Sequence, residues 1–210
     1  MRCFIEIDVP EGIKGQLYEK AQQIKAACES IDCSMNITKT ENIHVTLLFL
    51  GEVGEKKIDS LIRTLSEVSK NFASFECSIS KAALVPEKEP HMIWVLINDN
   101  PFLKRLHFYV KNALAMRDKE RDFAAHITIT RLKMKSKGLK SKDALRIKDA
   151  LSAASIEAAV KAPQSPRTCL ARIKNTATAA MANSAASKVC AIRTSPTMAA
   201  VALEATIHKG

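Results

Sequence analysis

Two tetrapeptides in this chain share one pattern, His44-Val45-Thr46-Leu47 and His126-Ile127-Thr128-Ile129. In a chain with five histidines, two such copies with apolar residues at both remaining positions are expected by chance about 0.002 times. Side chains alternate along a strand, so each histidine shares a face with its threonine while the apolar pair points to the other face. Imidazole titrates near neutral pH, so one ring can act as a base while another acts as an acid. Opening a cyclic phosphodiester needs that combination: a base to deprotonate the attacking water and an acid to protonate the departing ribose oxygen. Thr46 and Thr128 would donate hydrogen bonds to the non-bridging phosphate oxygens, which gain charge in the transition state. Arg131 follows His126 along the same segment and carries a guanidinium fork that matches a phosphate. Strict alternation puts it on the face opposite His126, so its participation requires a bend or twist in the strand.

Hydrophobic periodicity locates the elements that must hold these groups. Residues 2–9 alternate, with Cys3, Ile5, Ile7 and Val9 on one face, and predict a strand that Pro10 and Gly12 end. Ile13, Leu17, Ala21, Ile24 and Cys28 recur at helical spacing over 11–29. A short strand at 35–38 leads into a stronger one at 43–50, which Gly51 and Gly54 turn. Helices are predicted over 55–71 (Ile58, Leu61, Ile62, Leu65, Val68 inward) and 101–116 (Leu103, Leu106, Val110, Leu114 inward). Strands are predicted at 74–80, 92–97 and 123–131, the first two separated by a loop holding Pro86 and Pro90. Strands interleaved with helices of this length indicate an α/β or α+β domain.

Residues 1–149 form that domain, and residues 150–210 differ in kind. No aromatic residue follows Phe123, and the closing segment is dominated by Ala, Ser and Thr without alternation or a helical stripe. So few bulky side chains bury little area, at about 25 cal/mol per Å², and predict a poorly packed tail. Divergence and a reading-frame shift after about residue 140 both account for it, and translating the other frames discriminates. The formal charge of +10 suggests an anionic partner, but half of it lies in this tail, leaving the domain mildly basic. Acids at Glu6 and Asp8 interrupt the first apolar stretch, which argues against an export signal, and no run is long and apolar enough for a bilayer. A cytoplasmic location is expected. The six cysteines show no Cys-x-x-Cys pair and read as buried free thiols.

Rival chemistries find less support. Neither histidine has a ligand-type neighbour at metal-site spacing, so no metal and no cofactor are expected. No Gly-rich phosphate loop occurs. His91 sits beside the Pro86–Pro90 loop, His107 adjoins the apolar stripe of a helix, and His208 is in the tail. The lysines from 133 to 142 read as a solvated loop, with an RNA-backbone contact as the other reading. Trp94, Phe49 and Tyr109 are assigned to the core rather than to base stacking.

MRCFIEIDVPEGIK, ENIHVTLLFLGEVGEKKID, PHMIWVLI and DFAAHITITRLK together resemble the 2H phosphoesterase superfamily. Within it they are most similar to the RNA 2′,3′-cyclic phosphodiesterases, also called 2′-5′ RNA ligases or LigT-like proteins. The resemblance spans roughly residues 1–135. It implies an α+β, bilobal fold: two related antiparallel-sheet lobes, helices outside, facing each other across a central cleft, each lobe supplying one His-x-Thr. It also implies His44 as proton donor, His126 as proton acceptor, and hydrolysis of RNA 2′,3′-cyclic ends to 2′-phosphomonoesters. Joining of RNA ends through 2′-5′ linkage belongs to the same implication. The implied partner is RNA with a 2′,3′-cyclic phosphate end, transfer-RNA fragments included; a monomer and no membrane partner are expected. Two positions depart from the family pattern: Ala125 stands where Pro is common, and Leu48 where Lys is common, with the expected loss of a phosphate or backbone contact. A non-catalytic RNA- or nucleotide-binding module of the same fold is the alternative.

Overall fold

The computed structural model describes residues 2–28, 33–73, 75–116, 123–134, 141–154 and 156, with three further strand segments at 171–175, 188–190 and 205–207. The chain opens with β1 (Arg2–Asp8), whose alternation buries Cys3, Ile5 and Ile7 on one face. Pro10 lacks an N–H to contribute to a ladder and precedes α1 (Glu11–Ala27), which buries Ile13, Leu17, Ala21 and Ile24. β2 (Cys33–Ile37), a 3₁₀ turn (Thr40–Asn42) and β3 (His44–Glu52) follow, and Gly51 takes a positive φ of 68° beside a register shift near the end of β3. α2 (Glu55–Lys70), β4 (Ile79–Val85) and β5 (Met92–Ile97) come next. The first of these strands lies further along than the predicted 74–80, because Ile79–Val85 is the stretch that finds an antiparallel partner in β5.

α3 (Pro101–Ala113) begins sharply. The Asn100 side chain accepts hydrogen bonds from the backbone N–H groups of Phe102 (3.0 Å) and Leu103 (3.1 Å), and Pro101 occupies the first turn. β6 (His126–Met134) carries the second motif, and α4 (Ser141–Ala153) follows. Periodicity does not assign α4. Of the lysine-rich stretch, Lys133 belongs to β6 and Lys142 to α4, while residues 135–140 fall outside the described residues. In the Ala/Ser/Thr-rich segment, β7 (Ala171–Asn175) pairs with β1, and β8 (Lys188–Cys190) pairs with β9 (Ala205–Ile207). Leu151, Ala154 and Ile156, at the start of the segment expected to pack poorly, are buried in the core; apart from these residues and the three strands, 150–210 falls outside the described residues.

The architecture is α+β, with a central antiparallel sheet in the order β4-β5-β6-β3-β1-β7 and β2 added to β6. Its two halves, β7-β1-β3 and β4-β5-β6-β2, meet at one register pair, Val45 opposite Ile127. Each half supplies one motif strand. One face of the sheet and the apolar stripes of the helices form a continuous core that includes Ile5, Leu47, Ile93, Leu106 and Ile129. Leu106 on α3 is wholly buried there. We expect Leu106→Ala to lower stability by about 2–5 kcal/mol, through lost burial and the cavity left behind. A denaturant titration checks this; a loss under about 0.5 kcal/mol would mean the helix packs loosely.

Candidate active site

Val45 and Ile127 are each the residue after a motif histidine, so their pairing makes a local two-fold relation between the motifs. In a regular antiparallel ladder, that register makes His44 and His126 diagonal neighbours on one face, with Cα atoms about 7–8 Å apart. Val45 and Leu47, like Ile127 and Ile129, are buried on the opposite face. The motifs therefore anchor their strands through the apolar residues and present the polar ones together.

Each motif strand then breaks its alternation at the same place. Against β1, Ile5 pairs with Leu48 but Glu6 pairs with Thr46, so Leu47 is the extra residue. Against β5, Ile93 pairs with Thr130 but Trp94 pairs with Thr128, so Ile129 is the extra residue. Both bulges fall three positions after the histidine. A bulge resets which face the following residues occupy. Phe49 and Arg131, each five positions after its histidine, are thereby returned to the histidine face. This is the bend that Arg131 required. Leu48 is correspondingly turned into the core and does not line the cavity described below.

His44, Thr46, His126, Thr128 and Arg131 all line one cavity of about 770 Å³. That size lies within the range of sites that bind small ligands, about 300–1,000 Å³. The strand β2, the 3₁₀ turn and the two residues between them contribute Asn36, Thr38, Lys39 and Asn42 to its wall. Phe4, Phe49, Met92 and Trp94 supply an apolar wall. The core assignment of Phe49 and Trp94 is thus corrected: Phe49 is 67 % exposed, and Trp94 lies against His126. The run Met92–Ile97 is apolar on both faces, so its pattern hides that Ile93 and Val95 are core while Met92 and Trp94 face the cavity. Tyr109 is 43 % exposed on α3, edge-on to Phe72 and outside this cavity.

The two imidazoles have different surroundings. His126 Nδ1 is 2.8 Å from the Ala124 carbonyl oxygen, and its ring stacks on Trp94 at 3.5 Å between centroids, 16° from parallel. With Nδ1–H donating to that carbonyl, Nε2 of the neutral ring is an acceptor. Burial pushes the His126 pKa below imidazole's ordinary value, and the bond to Ala124 offsets this only in part. We expect Trp94→Ala to rehydrate the ring and raise that pKa. An NMR titration of the His126 ring checks this, and an unchanged midpoint contradicts it.

His44 is held by its Nδ1, 2.8 Å from the Asn42 carbonyl oxygen, and stacks on Phe4 at 5.1 Å. Its Nε2 lies 3.1 Å from Thr46 Oγ1. The Glu6 carboxylate, wholly buried, stands 3.3 Å from Nδ1. In the sequence Glu6 reads only as an acid interrupting an apolar strand; its contact with His44 depends on the pairing of β1 with β3.

The remaining histidines lie elsewhere. His91 Nδ1 contacts the Glu89 carbonyl oxygen and His107 stacks on Phe123, while His208 is outside the described residues. Cys3 and Cys28 are buried and Cys33 and Cys77 partly so, and burial pushes the Cys3 and Cys28 thiols up, which suppresses thiolate chemistry. Among the described residues no three His, Cys, Asp or Glu side chains cluster in a way that could hold a metal ion. Nor is any described helix long and apolar enough to cross a membrane.

Comparison with known proteins identifies the family and the fold. The profile of the LigT-like phosphoesterases matches residues 7–94. An RNA 2′,3′-cyclic phosphodiesterase of Archaeoglobus fulgidus is 33% identical over 139 residues, covering 65% of this chain and 75% of that protein. Its counterpart in Thermotoga maritima is 32% identical over 136 residues, covering 63% and 71%. The crystal structure of a Thermus thermophilus protein shares the fold with a TM-score of 0.55 at 21% identity, covering 66% of this chain and 78% of that one. The chain belongs to the LigT-like branch of the 2H phosphoesterase superfamily and is a homologue of the RNA 2′,3′-cyclic phosphodiesterases.

Proposed function

We propose that the protein hydrolyses RNA 2′,3′-cyclic phosphate ends to 2′-phosphomonoesters, with His126 as general base and His44 as general acid. The observation that carries this is the arrangement of both His-x-Thr pairs and Arg131 around one cavity. His126 Nε2 takes a proton from water as its oxygen bonds to phosphorus. The bond from phosphorus to the ribose 3′ oxygen breaks, and His44 Nε2–H protonates that oxygen. The product is a 2′-phosphate beside a free 3′-hydroxyl, and solvent exchange resets both rings. Thr46, Thr128 and Arg131 bind the non-bridging oxygens, where negative charge grows. A ribose 5′-hydroxyl in place of water gives a 2′-5′ linkage by the same proton transfers.

The electrostatics suit these roles. A base must be unprotonated, and burial favours neutral His126. The low-pH limb of kcat/KM should accordingly lie below imidazole's ordinary pKa. Oligoribonucleotides ending in a 2′,3′-cyclic phosphate, incubated with chelator, test the reading. The expected product is the 2′-phosphate alone. Retention without turnover would identify a binding module instead, and a 3′-phosphate product would reverse the leaving group.

A further inference from the structure

We propose that Glu6 is a positioning residue that keeps His44 in its protonated, acid-competent form. This rests on the reading of His44 as the general acid. Glu6 is wholly buried on β1, directly opposite Thr46 in register, and its Oε2 lies 3.3 Å from His44 Nδ1. Burying a carboxylate is costly unless a partner of opposite charge or a donor offsets the lost hydration. Protonated His44 offers a nearby opposite charge while its Nδ1–H donates to the Asn42 carbonyl, leaving Nε2–H for the leaving group. At this separation an anion stabilises imidazolium over imidazole.

The two histidines are therefore set apart by their neighbours. His126 has an aromatic ring and a carbonyl beside it, and no carboxylate among its described contacts. His44 has a carbonyl and a carboxylate. Opposed environments of this kind divide acid and base roles between chemically identical groups.

Other charged groups also stand around His44. Asp8, its register partner on β1, is engaged by the buried Lys14 ammonium at 2.9 Å. Lys39 and Glu41 beside the 3₁₀ turn are exposed and 3.9 Å apart. His126 and Arg131 approach from β6 across the cavity, and both would disfavour a cation at His44 when they are charged. Arg172 stands opposite Glu6 in the register of β7.

Glu6→Gln keeps the shape and removes the charge. The expected result is a fall of about one to three pH units in the His44 ring titration, followed by NMR. The high-pH limb of kcat/KM should fall with it. Turnover then drops by about tenfold or more at alkaline pH and approaches wild type at acidic pH. Glu6→Asp retains the charge and should keep the limb above that of Glu6→Gln. A purely structural role predicts a uniform loss at every pH with the ring titration unmoved, and that result overturns the proposal. If wild-type protein fails to turn over cyclic phosphate ends, the enzymatic reading falls, and the ring titration still decides whether Glu6 charges His44.

Discussion

Replacing His126 with alanine should lower kcat on a 2′,3′-cyclic phosphate end by about 10²- to 10⁴-fold, the range supplied by a positioned general base. The fold should survive, because His126 is only partly buried and its strand is anchored by the fully buried Ile127 and Ile129. Binding of a nucleoside 2′-phosphate should weaken far less than kcat, since in the proposed mechanism Thr46, Thr128 and Arg131 would still hold the phosphate. Because the two proton transfers act on one transition state, the double replacement of His44 and His126 should cost little more than the worse single one. Single-turnover kinetics with circular dichroism as a fold control measure all three variants. Losses that multiply would mean that the rings act independently.

His44→Ala should cost a comparable 10²- to 10⁴-fold on RNA, but for a different reason that the substrate can reveal. A ribose alkoxide is a poor leaving group and needs a proton as its bond to phosphorus breaks. A nitrophenolate leaves without one. On an aryl phosphodiester the loss in His44→Ala should therefore shrink to less than about tenfold, while His126→Ala, which still has water to activate, stays deeply impaired. Equal losses for both variants on both substrates would mean the acid and base roles are not divided as assigned.

Much of this site is legible in the residues alone, because it depends on local rules. The duplicated His-x-Thr is a short-range pattern, and alternation on β3 and β6 is enough to place each histidine beside its threonine and opposite its buried neighbours. The helical stripes of α1, α2 and α3 are equally legible, since Ile13, Leu17, Ala21 and Ile24, then Ile58 and Leu65, then Leu103, Leu106 and Val110, each fall on one buried side of their own helix. What periodicity cannot show is where it fails. The bulges at Leu47 and Ile129 leave no mark in hydropathy, yet they decide that Arg131 and Phe49 face the cavity and Leu48 does not. Glu6 is opaque for a related reason. An acid in an apolar strand is ambiguous until the partner strand is known, and His44 lies 38 positions away. Trp94 is hidden by an apolar run, and β7 by a segment whose composition offers no pattern to follow.

The proposed catalysis requires both imidazoles to face one phosphorus atom. The most direct measurement labels the histidine rings with nitrogen-15 and titrates the protein with a nucleoside 2′-monophosphate, reading the His44 and His126 Nε2 signals separately. Both signals should move together along one saturation curve with a single Kd. A curve for one ring alone, or two curves with different constants, would contradict it.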